Sequence, residues 1–377
     1  MKVYVDCIGC EQRKLDAQRI ITYLTTNGIS LVNSPEICDY AILVTCAVDK
    51  PNESRSISKL EEISRRIPAS GKLVVGGCLP SINPELMAKY DIYTTFSPRT
   101  LHALERAFGS QIKKGIESFS IPNRSTFDCK DSSTTSPKTL KEEFELAKKG
   151  YKIVIDHGCL LHCSYCSIKK ATGKLKSEPM DAVISQFRRG TSLEEPTIML
   201  VGGDTGAYGR DIGLRFYNLL ESLVDDGKKS KIFIHDFNIN WLIEDLKEYV
   251  KVFEKSDGII RAATFPIQSG SDRILKLMRR PYTQRETIQA LTNIRESAAK
   301  LGIGTHIIVG FPTETDSDFE ATLKVLEETN LDFISCFPYS ENKHTASARI
   351  REKIEPKTIQ ERLQKINKLF GEKVTIF

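Results

Sequence analysis

Short apolar runs alternate with segments of helical apolar spacing along the first third of the chain. The runs that predict strands are Lys2–Asp6, Tyr40–Thr45 and Lys72–Val75. Between them, Lys14–Thr26 and Ser54–Arg66 place apolar residues on one face of a helix. Such alternation is typical of a sheet with helices on both faces. We therefore expect an α/β fold that begins with a small doubly wound, Rossmann-like domain over residues 1–118.

The composition changes after this first domain. Residues 119–150 are rich in Ser, Thr and Lys, as in DSSTTSPKTLKEE, which predicts a linker. Six apolar runs then predict strands: Lys152–Asp156, Thr197–Val201, Lys231–His235, Ile260–Ile267, Gly304–Val309 and Phe333–Phe337. Six successive strand–helix units and a last helix near Lys357–Phe370 predict an open, partial (βα)6 TIM barrel over residues 151–377.

Composition and charge narrow the class of protein. The chain has 377 residues, of which 40% are apolar, enough for two or three cores. Its 54 basic and 49 acidic residues give a net charge of +5, which permits a nucleic-acid partner without arguing for one. The start MKVYVDCIGC lacks the apolar core of a signal peptide, and no apolar run reaches the roughly 18 residues of a membrane span. We expect a cytoplasmic protein whose ten cysteines serve metal or redox chemistry.

The first cysteine motif directly follows the first predicted barrel strand. Cys159, Cys163 and Cys166 form a C-x3-C-x2-C run, at the end of a strand where barrel active sites lie. Three thiolates on one loop can hold three irons of a [4Fe–4S] cluster and leave the fourth open to S-adenosylmethionine (SAM). The alternatives are a zinc site or three buried thiols. Zinc usually takes four ligands, and only His157 and His162 lie nearby in sequence, so we favour the cluster.

A second cysteine set is dispersed through the N-terminal domain. Cys10, Cys46 and Cys78 each follow one of its three predicted strands. Because the carboxyl ends of parallel strands meet at one edge of a sheet, we expect these thiols to hold an auxiliary [4Fe–4S] cluster. Scattered buried thiols are the alternative, since Cys packs as a small hydrophobe. We assign that role, or a surface position, to Cys38, Cys129 and Cys336, and leave Cys7 as a spare thiol.

Glycines and polar residues at other strand ends complete a candidate SAM site. They are Gly202, Gly203 and Asp204 after the second barrel strand, Gln268 and Ser269 after the fourth, and Gly310 after the fifth. Glycines let a ligand approach the backbone, and Asp204 could accept a hydrogen bond from the SAM amino group. Ordinary strand–helix turns are the alternative.

A basic, aromatic turn follows the fourth barrel unit. Arg279, Arg280 and Tyr282 are suited to phosphate or carbonyl groups of a substrate, and equally to a solvated helix end. The sequence assigns no acid–base catalyst.

Together these motifs resemble the radical SAM methylthiotransferase family over nearly the whole chain. The resemblance rests on GC-x5-D at Cys10 and Asp16, VTCAV, VVGGC, the C-x3-C-x2-C loop with Tyr165, GKLKSEP, FPIQSGSDRILKLMRRPYT, IIVGFPTETDSDFEATL and FPYS. By this resemblance Tyr165 joins the SAM site. The stretch DTGAYGRDIG at 204–213 is similar to the archaeal and eukaryotic branch, which acts on threonylcarbamoyladenosine beside a tRNA anticodon.

The resemblance implies an enzyme that replaces C–H by C–SCH3 with two [4Fe–4S] clusters and two SAM molecules. One SAM would methylate a sulfur held at the auxiliary cluster, and the other would yield the radical that removes a hydrogen atom from the substrate. The resemblance also implies a tRNA substrate and an electron donor such as flavodoxin or ferredoxin, with no membrane partner.

Three departures from the family pattern are visible. Arg13 stands where the family often has Asn, and His306 stands where it usually has Asp. Family members normally end in an RNA-binding TRAM domain, whereas only GEKVTIF follows the last predicted helix, so we expect a chain without that domain. Methylthiolation of a peptide or protein is therefore the alternative function, and a non-catalytic iron–sulfur protein is a second alternative.

Overall fold

The computed structural model describes residues 1–131, 137–226 and 230–377, without the side chains of residues 110 and 129–131. Part of the expected linker, residues 132–136, and the side chain of Cys129 thus lie outside the described residues. The chain forms two compact units. The first contains the described residues up to 131 together with Cys166–Gly173, and the second contains the other described residues.

The strands and helices alternate along the chain. The strands are β1 (Lys2–Cys7), β2 (Ser30–Val32), β3 (Tyr40–Thr45), β4 (Lys72–Gly77), β5 (Thr94–Thr95), β6 (Tyr151–Val154), β7 (Asp156–His157), β8 (Lys176–Ser177), β9 (Thr197–Val201), β10 (Lys231–Ile234), β11 (Ile260–Thr264), β12 (Gly302–Val309), β13 (Phe333–Pro338) and β14 (Val374–Ile376). The helices are α1 (Glu11–Thr26), α2 (Lys50–Arg66), α3 (Leu79–Ile82), α4 (Pro84–Met87), α5 (Glu105–Phe108), α6 (Leu140–Lys149), α7 (Lys169–Thr172), α8 (Met180–Ser192), α9 (Phe216–Asp226), α10 (Ile239–Glu244), α11 (Leu246–Ser256), α12 (Asp272–Met278), α13 (Gln284–Ser297), α14 (Asp316–Glu328) and α15 (Pro356–Phe370).

The first unit is built on a parallel sheet in the order β2-β1-β3-β4-β5. This order reverses direction between β1 and β3, so the predicted doubly wound fold is confirmed. The central strand β3 is buried along its whole length. Ile42 and Val44 pack into one apolar core, and Ala41 and Leu43 into another on the opposite face. Helices on both faces therefore explain why this strand reads as a continuous apolar run.

The second unit is an open parallel sheet in the order β6-β9-β10-β11-β12-β13-β14. Each strand lies beside the next one in sequence, which is the topology of a partial barrel, and the predicted barrel is confirmed. A short antiparallel pair, β7 with β8, adjoins it. The sequence analysis missed β14, whose Val374 pairs with Ile334 on β13. This strand has only three residues and follows closely on the glycine that ends the last helix, so its apolar run is too short to predict a strand.

Helix α6 lies within the segment that the sequence analysis placed in the linker. It begins with a capping box between Thr139 and Glu142, and it buries Phe144. The Phe144 ring packs against Phe233 and Phe333 with centroid distances of 5.9 and 5.0 Å. The helix is therefore stabilised by packing on strands β10 and β13 of the second unit. Within the described residues, none of the helices combines the length and the apolar content needed to cross a bilayer.

Candidate functional site

In the first unit, three strand ends deliver Cys10, Cys46 and Cys78 to one edge of the sheet. Strands β3 and β4 pair in register up to Thr45 and Gly77, so Cys46 and Cys78 follow at the same level. Cys10 lies three residues after β1 and is the N-cap of α1. Burial, followed by the charges of the Cys10 and Cys78 thiolates, raises the pKa of Cys46. The strand register thus brings these three cysteines to the same edge of the sheet.

Hydrogen bonds and close packing fix the backbone at this edge of the sheet. The Cys46 amide donates to Ser56 Oγ at 3.0 Å, and the Cys78 amide donates to the Thr45 carbonyl at 3.0 Å. Gly77 has φ +89°, and a side chain there would overlap the carbonyl oxygen of Thr45. Only glycine adopts this conformation readily, so Gly77 allows β4 to turn directly into Cys78.

The three strand-end thiols differ in burial. Cys46 and Cys78 are buried and Cys10 is exposed. Burial raises the pKa of Cys78 to about 12. Among the described residues, no three His, Cys, Asp or Glu side chains converge closely enough to hold one ion. The use of the three thiols as ligands of a [4Fe–4S] cluster stays a prediction.

Arg13 is a functional candidate that the sequence analysis noted only as a departure from the family pattern. Its side chain lies beside the three thiols on the first turn of α1 and is 1% exposed. One nitrogen, Nη2, pairs with Asp16 at 3.1 Å. No sequence signal told this buried ion pair from an ordinary solvated i,i+3 pair on a helix surface.

In the second unit, the cysteine loop begins after the β7 segment. Cys159 and Cys163 are half-buried, and the Cys159 thiol lies 3.8 Å from Asp204 Oδ2. Arg280 Nη1 lies 3.6 Å from the Cys163 sulfur. The Ser164 amide donates to the Met278 carbonyl at 3.0 Å and anchors the loop to α12. Cys166 is exposed and opens the segment that is counted with the first unit.

The Asp204 carboxylate is hydrogen-bonded to several residues of this site. Its Oδ2 accepts hydrogen bonds from Trp241 Nε1 at 2.8 Å and from Asn238 Nδ2 at 3.1 Å. Burial raises the pKa of Asp204, while the hydrogen bonds from Trp241 and Asn238 and the charge of Arg280 oppose that rise. The carboxylate expected to meet SAM thus already has protein donors on one oxygen. Sequence reasoning missed Asn238 and Trp241, because single residues after a strand carry no motif.

A second buried carboxylate, Asp156, lies next to the backbone of Asp204. Its Oδ1 accepts from the amides of Gly203 at 2.7 Å and Asp204 at 3.2 Å. Burial, then the nearby charge of Asp204, raises the pKa of Asp156 to about 8. A side chain at Gly202 would overlap Asp156, and one at Gly203 would overlap the Gly158 carbonyl oxygen. Both glycines are therefore required by close backbone approach.

The other predicted SAM residues surround the same end of the sheet. Gln268 has φ +65°, and its backbone pairs with His306 and Ile308 of β12. A non-glycine residue in this region is strained, which is a feature of functional sites. Ser269 is buried, and its hydroxyl accepts from the Ser271 amide at 3.2 Å.

The fifth strand ends at Gly310, which has φ +81°. Its amide donates to Glu314 Oε2 at 2.8 Å. Tyr165 is partly buried in a cluster with Ile274, Met278 and Phe311. The use of these residues by SAM stays a prediction.

The predicted substrate residues divide into two kinds. Arg279 ends α12 in the left-handed region, with φ +60°. Arg280 and Tyr282 are buried, and the Tyr282 hydroxyl donates to the Ile267 carbonyl at 3.0 Å. Arg280 also contacts Asn238 Oδ1 and donates to the Pro266 carbonyl at 3.3 Å. Arg280 thus contacts the cysteine loop, and both Arg280 and Tyr282 contact the backbone just after β11. Arg279 makes no such contact among the described residues. The assignment of all three to substrate stays a prediction.

The remaining cysteines behave as expected where the structure describes them. Cys38 and Cys336 are buried in the apolar cores. Cys7 is partly buried and packs against one core of the first unit. A half-buried pair, His157 and Glu178, lies 3.5 Å apart beside the cysteine loop.

Comparison with known proteins agrees with this architecture. Residues 153–326 match the model of the Radical SAM superfamily, and residues 2–96 match that of "Uncharacterized protein family UPF0004". The methyltransferase TsrM of Kitasatospora setae, a radical SAM enzyme, shares the fold with a TM-score of 0.63 at 14% identity, over 92% of this chain and 75% of that one.

Curated relatives match the chain almost from end to end. A probable threonylcarbamoyladenosine tRNA methylthiotransferase of Methanocaldococcus jannaschii is 30% identical over 98% of this chain and 82% of its own length. A tRNA-2-methylthio-N(6)-dimethylallyladenosine synthase of Thermodesulfovibrio yellowstonii is 28% identical over 98% of this chain and 83% of its own. The chain therefore belongs to the radical SAM family of methylthiotransferase enzymes.

Proposed function

We propose that the protein converts a C–H bond of an adenosine beside a tRNA anticodon into C–SCH3. The observation that carries this proposal is the placement of Cys10, Cys46 and Cys78 at one sheet edge of a unit that accompanies a radical SAM barrel. A barrel with one cysteine loop suffices to begin radical chemistry. A second set of three thiols supports a second cluster, which sulfur insertion requires.

The residues present fit both clusters. Cys159, Cys163 and Cys166 would hold one, by their spacing on a single loop, and the three strand-end thiols would hold the other. When bound, the clusters supply an electron for cleavage of SAM and a site for the sulfur that is transferred. An electron donor such as flavodoxin or ferredoxin would reduce them.

The protein's own groups orient the barrel site. Trp241 and Asn238 fix the Asp204 carboxylate, leaving Asp204 Oδ1 with only a long contact of 3.4 Å from the Asn238 amide. That oxygen is the acceptor we assign to the SAM amino group. Gly202 and Gly203 give the ligand access to the backbone, and Gln268, Ser269, Gly310 and Tyr165 line the adjoining strand ends.

The tRNA assignment rests on the named activities of the relatives and on local basic groups. The relatives in Methanocaldococcus and Thermodesulfovibrio are both named for modification of tRNA adenosines. Lys174 and Lys176 follow the cysteine loop, and Arg279 lies beside the Arg280 that contacts Cys163. Cations of this kind bind phosphate and make affinity depend on salt.

The test is an assay of modified nucleosides. The reconstituted enzyme is incubated anaerobically with SAM, dithionite and bulk tRNA, and the digested nucleosides are analysed by mass spectrometry. A methylthio increment on an adenosine is the expected result, and it should vanish when Cys10, Cys46 and Cys78 are replaced by Ala. Formation of 5′-deoxyadenosine without any modified nucleoside would direct the search to a peptide or protein substrate.

A further inference from the structure

The auxiliary site contains a buried cation whose hydrogen bonds are incomplete. Besides the Nη2 contact with Asp16, the Nε and Nη1 atoms of Arg13 have no hydrogen-bond partner among residues 1–131, 137–226 and 230–377. Buried N–H groups are almost always paired, because an unpaired one loses its hydration without compensation. Unpaired Nε atoms also occur on other arginines of the described residues, but among these Arg13 alone has an unpaired Nη1 as well, and its side chain is 1% exposed. This second orphaned donor indicates an acceptor supplied by a bound group.

The surroundings of Arg13 identify that group by its chemistry. Burial would lower the pKa of Arg13, but the charges of Asp16 and of the thiolates of Cys78, Cys10 and Cys46 outweigh it and raise this pKa. The guanidinium thus lies within electrostatic reach of all three strand-end thiols. A side chain at Gly9 would overlap the Cβ of Arg13, so the glycine next to Cys10 leaves the space that Arg13 fills.

The acceptors that these thiols bring with them are sulfur atoms. A cluster held by thiolates carries anionic cysteine and inorganic sulfurs, and hydrogen bonds to those sulfurs help to set its reduction potential. A charged donor in a buried site binds an anion more strongly than a neutral donor does. Its effect is larger on the reduced cluster, which carries one more negative charge.

We propose that Arg13 donates hydrogen bonds from Nε and Nη1 to sulfur atoms of the auxiliary cluster, and so positions that cluster and raises its reduction potential. This inference rests on the proposed function, because it requires a cluster on Cys10, Cys46 and Cys78. Arg13 acts through the cluster and is a positioning residue. Asp16 neutralises its charge and orients the guanidinium through Nη2.

The experiment isolates the auxiliary cluster in the full-length chain. Replacing Cys159, Cys163 and Cys166 by Ala leaves the three strand-end thiols as cluster ligands. In this background the midpoint potential is measured by redox titration followed by electron paramagnetic resonance. Arg13→Gln should move the potential to a more negative value, and Arg13→Lys, which keeps the charge, should restore part of the shift.

Two further variants control for structure. Arg19→Gln removes another cation of α1, which bonds to the Ile116 carbonyl at 3.1 Å, and it should leave the potential unchanged. The double variant Arg13→Gln, Asp16→Asn removes both charges and leaves no unpaired buried carboxylate. If Arg13→Gln alone does not retain iron, the potential of this double variant is compared with that of the background variant instead. The double variant should also shift the potential negatively.

The outcomes separate the inference from the function beneath it. A wild-type potential in the neutral Arg13 variants that retain iron would overturn the role of Arg13 alone. If the background variant with Arg13 intact holds no iron, the auxiliary cluster does not form and the proposed function is wrong.

Discussion

The two cysteine sites of this protein are assembled in opposite ways. The barrel site takes its thiols from one loop, and its buried arginine, Arg280, already contacts Cys163, Asn238 and the Pro266 carbonyl. The auxiliary site takes its thiols from three strand ends, and Arg13 has Asp16 as its hydrogen-bonded partner. Within the described residues the loop site leaves one donor of its arginine unpaired, Arg280 Nε, whereas the sheet-edge site leaves two, Nε and Nη1 of Arg13.

The largest expected effect separates the two sites by their half-reactions. Reconstituted enzyme should hold about eight irons per chain, and either cysteine triple replaced by Ala should hold about half of them. Without Cys159, Cys163 and Cys166 no 5′-deoxyadenosine should form. Without Cys10, Cys46 and Cys78, 5′-deoxyadenosine should still form but no methylthio product. Iron analysis and chromatography of the reaction check both, and full iron in the second triple variant would contradict two separate clusters.

Replacing one glycine of each site by alanine should disrupt that site while its cysteines stay unchanged. A methyl group at Gly203 would overlap the Gly158 carbonyl, and one at Gly77 would overlap that of Thr45. Gly203→Ala should cost about 1–3 kcal/mol of unfolding free energy and abolish 5′-deoxyadenosine formation. Gly77→Ala should cost a similar amount and spare that reaction.

The matched controls are glycines with positive φ and open space. Gly213 has no heavy atom within 4 Å of an added Cβ, and neither has Gly28 in the first unit. Alanine there should cost about 1–2 kcal/mol through backbone strain alone and leave both iron contents intact. If Gly213→Ala also abolished SAM cleavage, loss of stability rather than site geometry would explain the Gly203 result.

The buried carboxylates make a prediction that has no equivalent in the auxiliary site. The pKa of Asp156 is about 8 in the folded chain, against its ordinary value of 3.8. Between these values the unfolded chain loses a proton that the folded chain keeps, so the contribution of Asp156 to stability should fall as pH rises from about 4 to 8. The slope is at most about 1.4 kcal/mol per pH unit.

Asp156→Asn should flatten this decline, because the amide resembles the protonated acid. Urea unfolding of the iron-free protein at several pH values measures the slope. Asp257→Asn, which removes an exposed carboxylate paired with Lys300, is the control and should not change it. Equal slopes for Asp156→Asn and the parent chain would mean that Asp156 ionises normally.

The contrast between the sites also explains what the sequence could predict. The spacing of Cys159, Cys163 and Cys166 is local, and alternation of apolar runs predicted the longer strands of both sheets but not the short strands β2, β5 and β14. The auxiliary thiols were found because topology brings strand ends together. Asn238, Trp241 and Asp156 were not assigned a role, since their importance comes from burial and from partners tens of residues away. Arg13 was not assigned one because its pair with Asp16, three residues away, differs from a surface pair only in its burial. No periodicity encodes such contacts.

The smallest expected effect tests whether Asp204 is held as firmly as the contacts indicate. Trp241→Phe keeps the ring but removes the Nε1 donor that lies 2.8 Å from Asp204. Loss of one hydrogen bond to a buried carboxylate should cost about 1 kcal/mol and raise the pKa of Asp204 further. Tyr249→Phe is the control, because that buried hydroxyl has no hydrogen-bond partner within the described residues, and its removal should be neutral. Trp241 is the only tryptophan, so unfolding must be followed by circular dichroism. Equal stability of the two variants would mean that Asn238 alone suffices to hold Asp204.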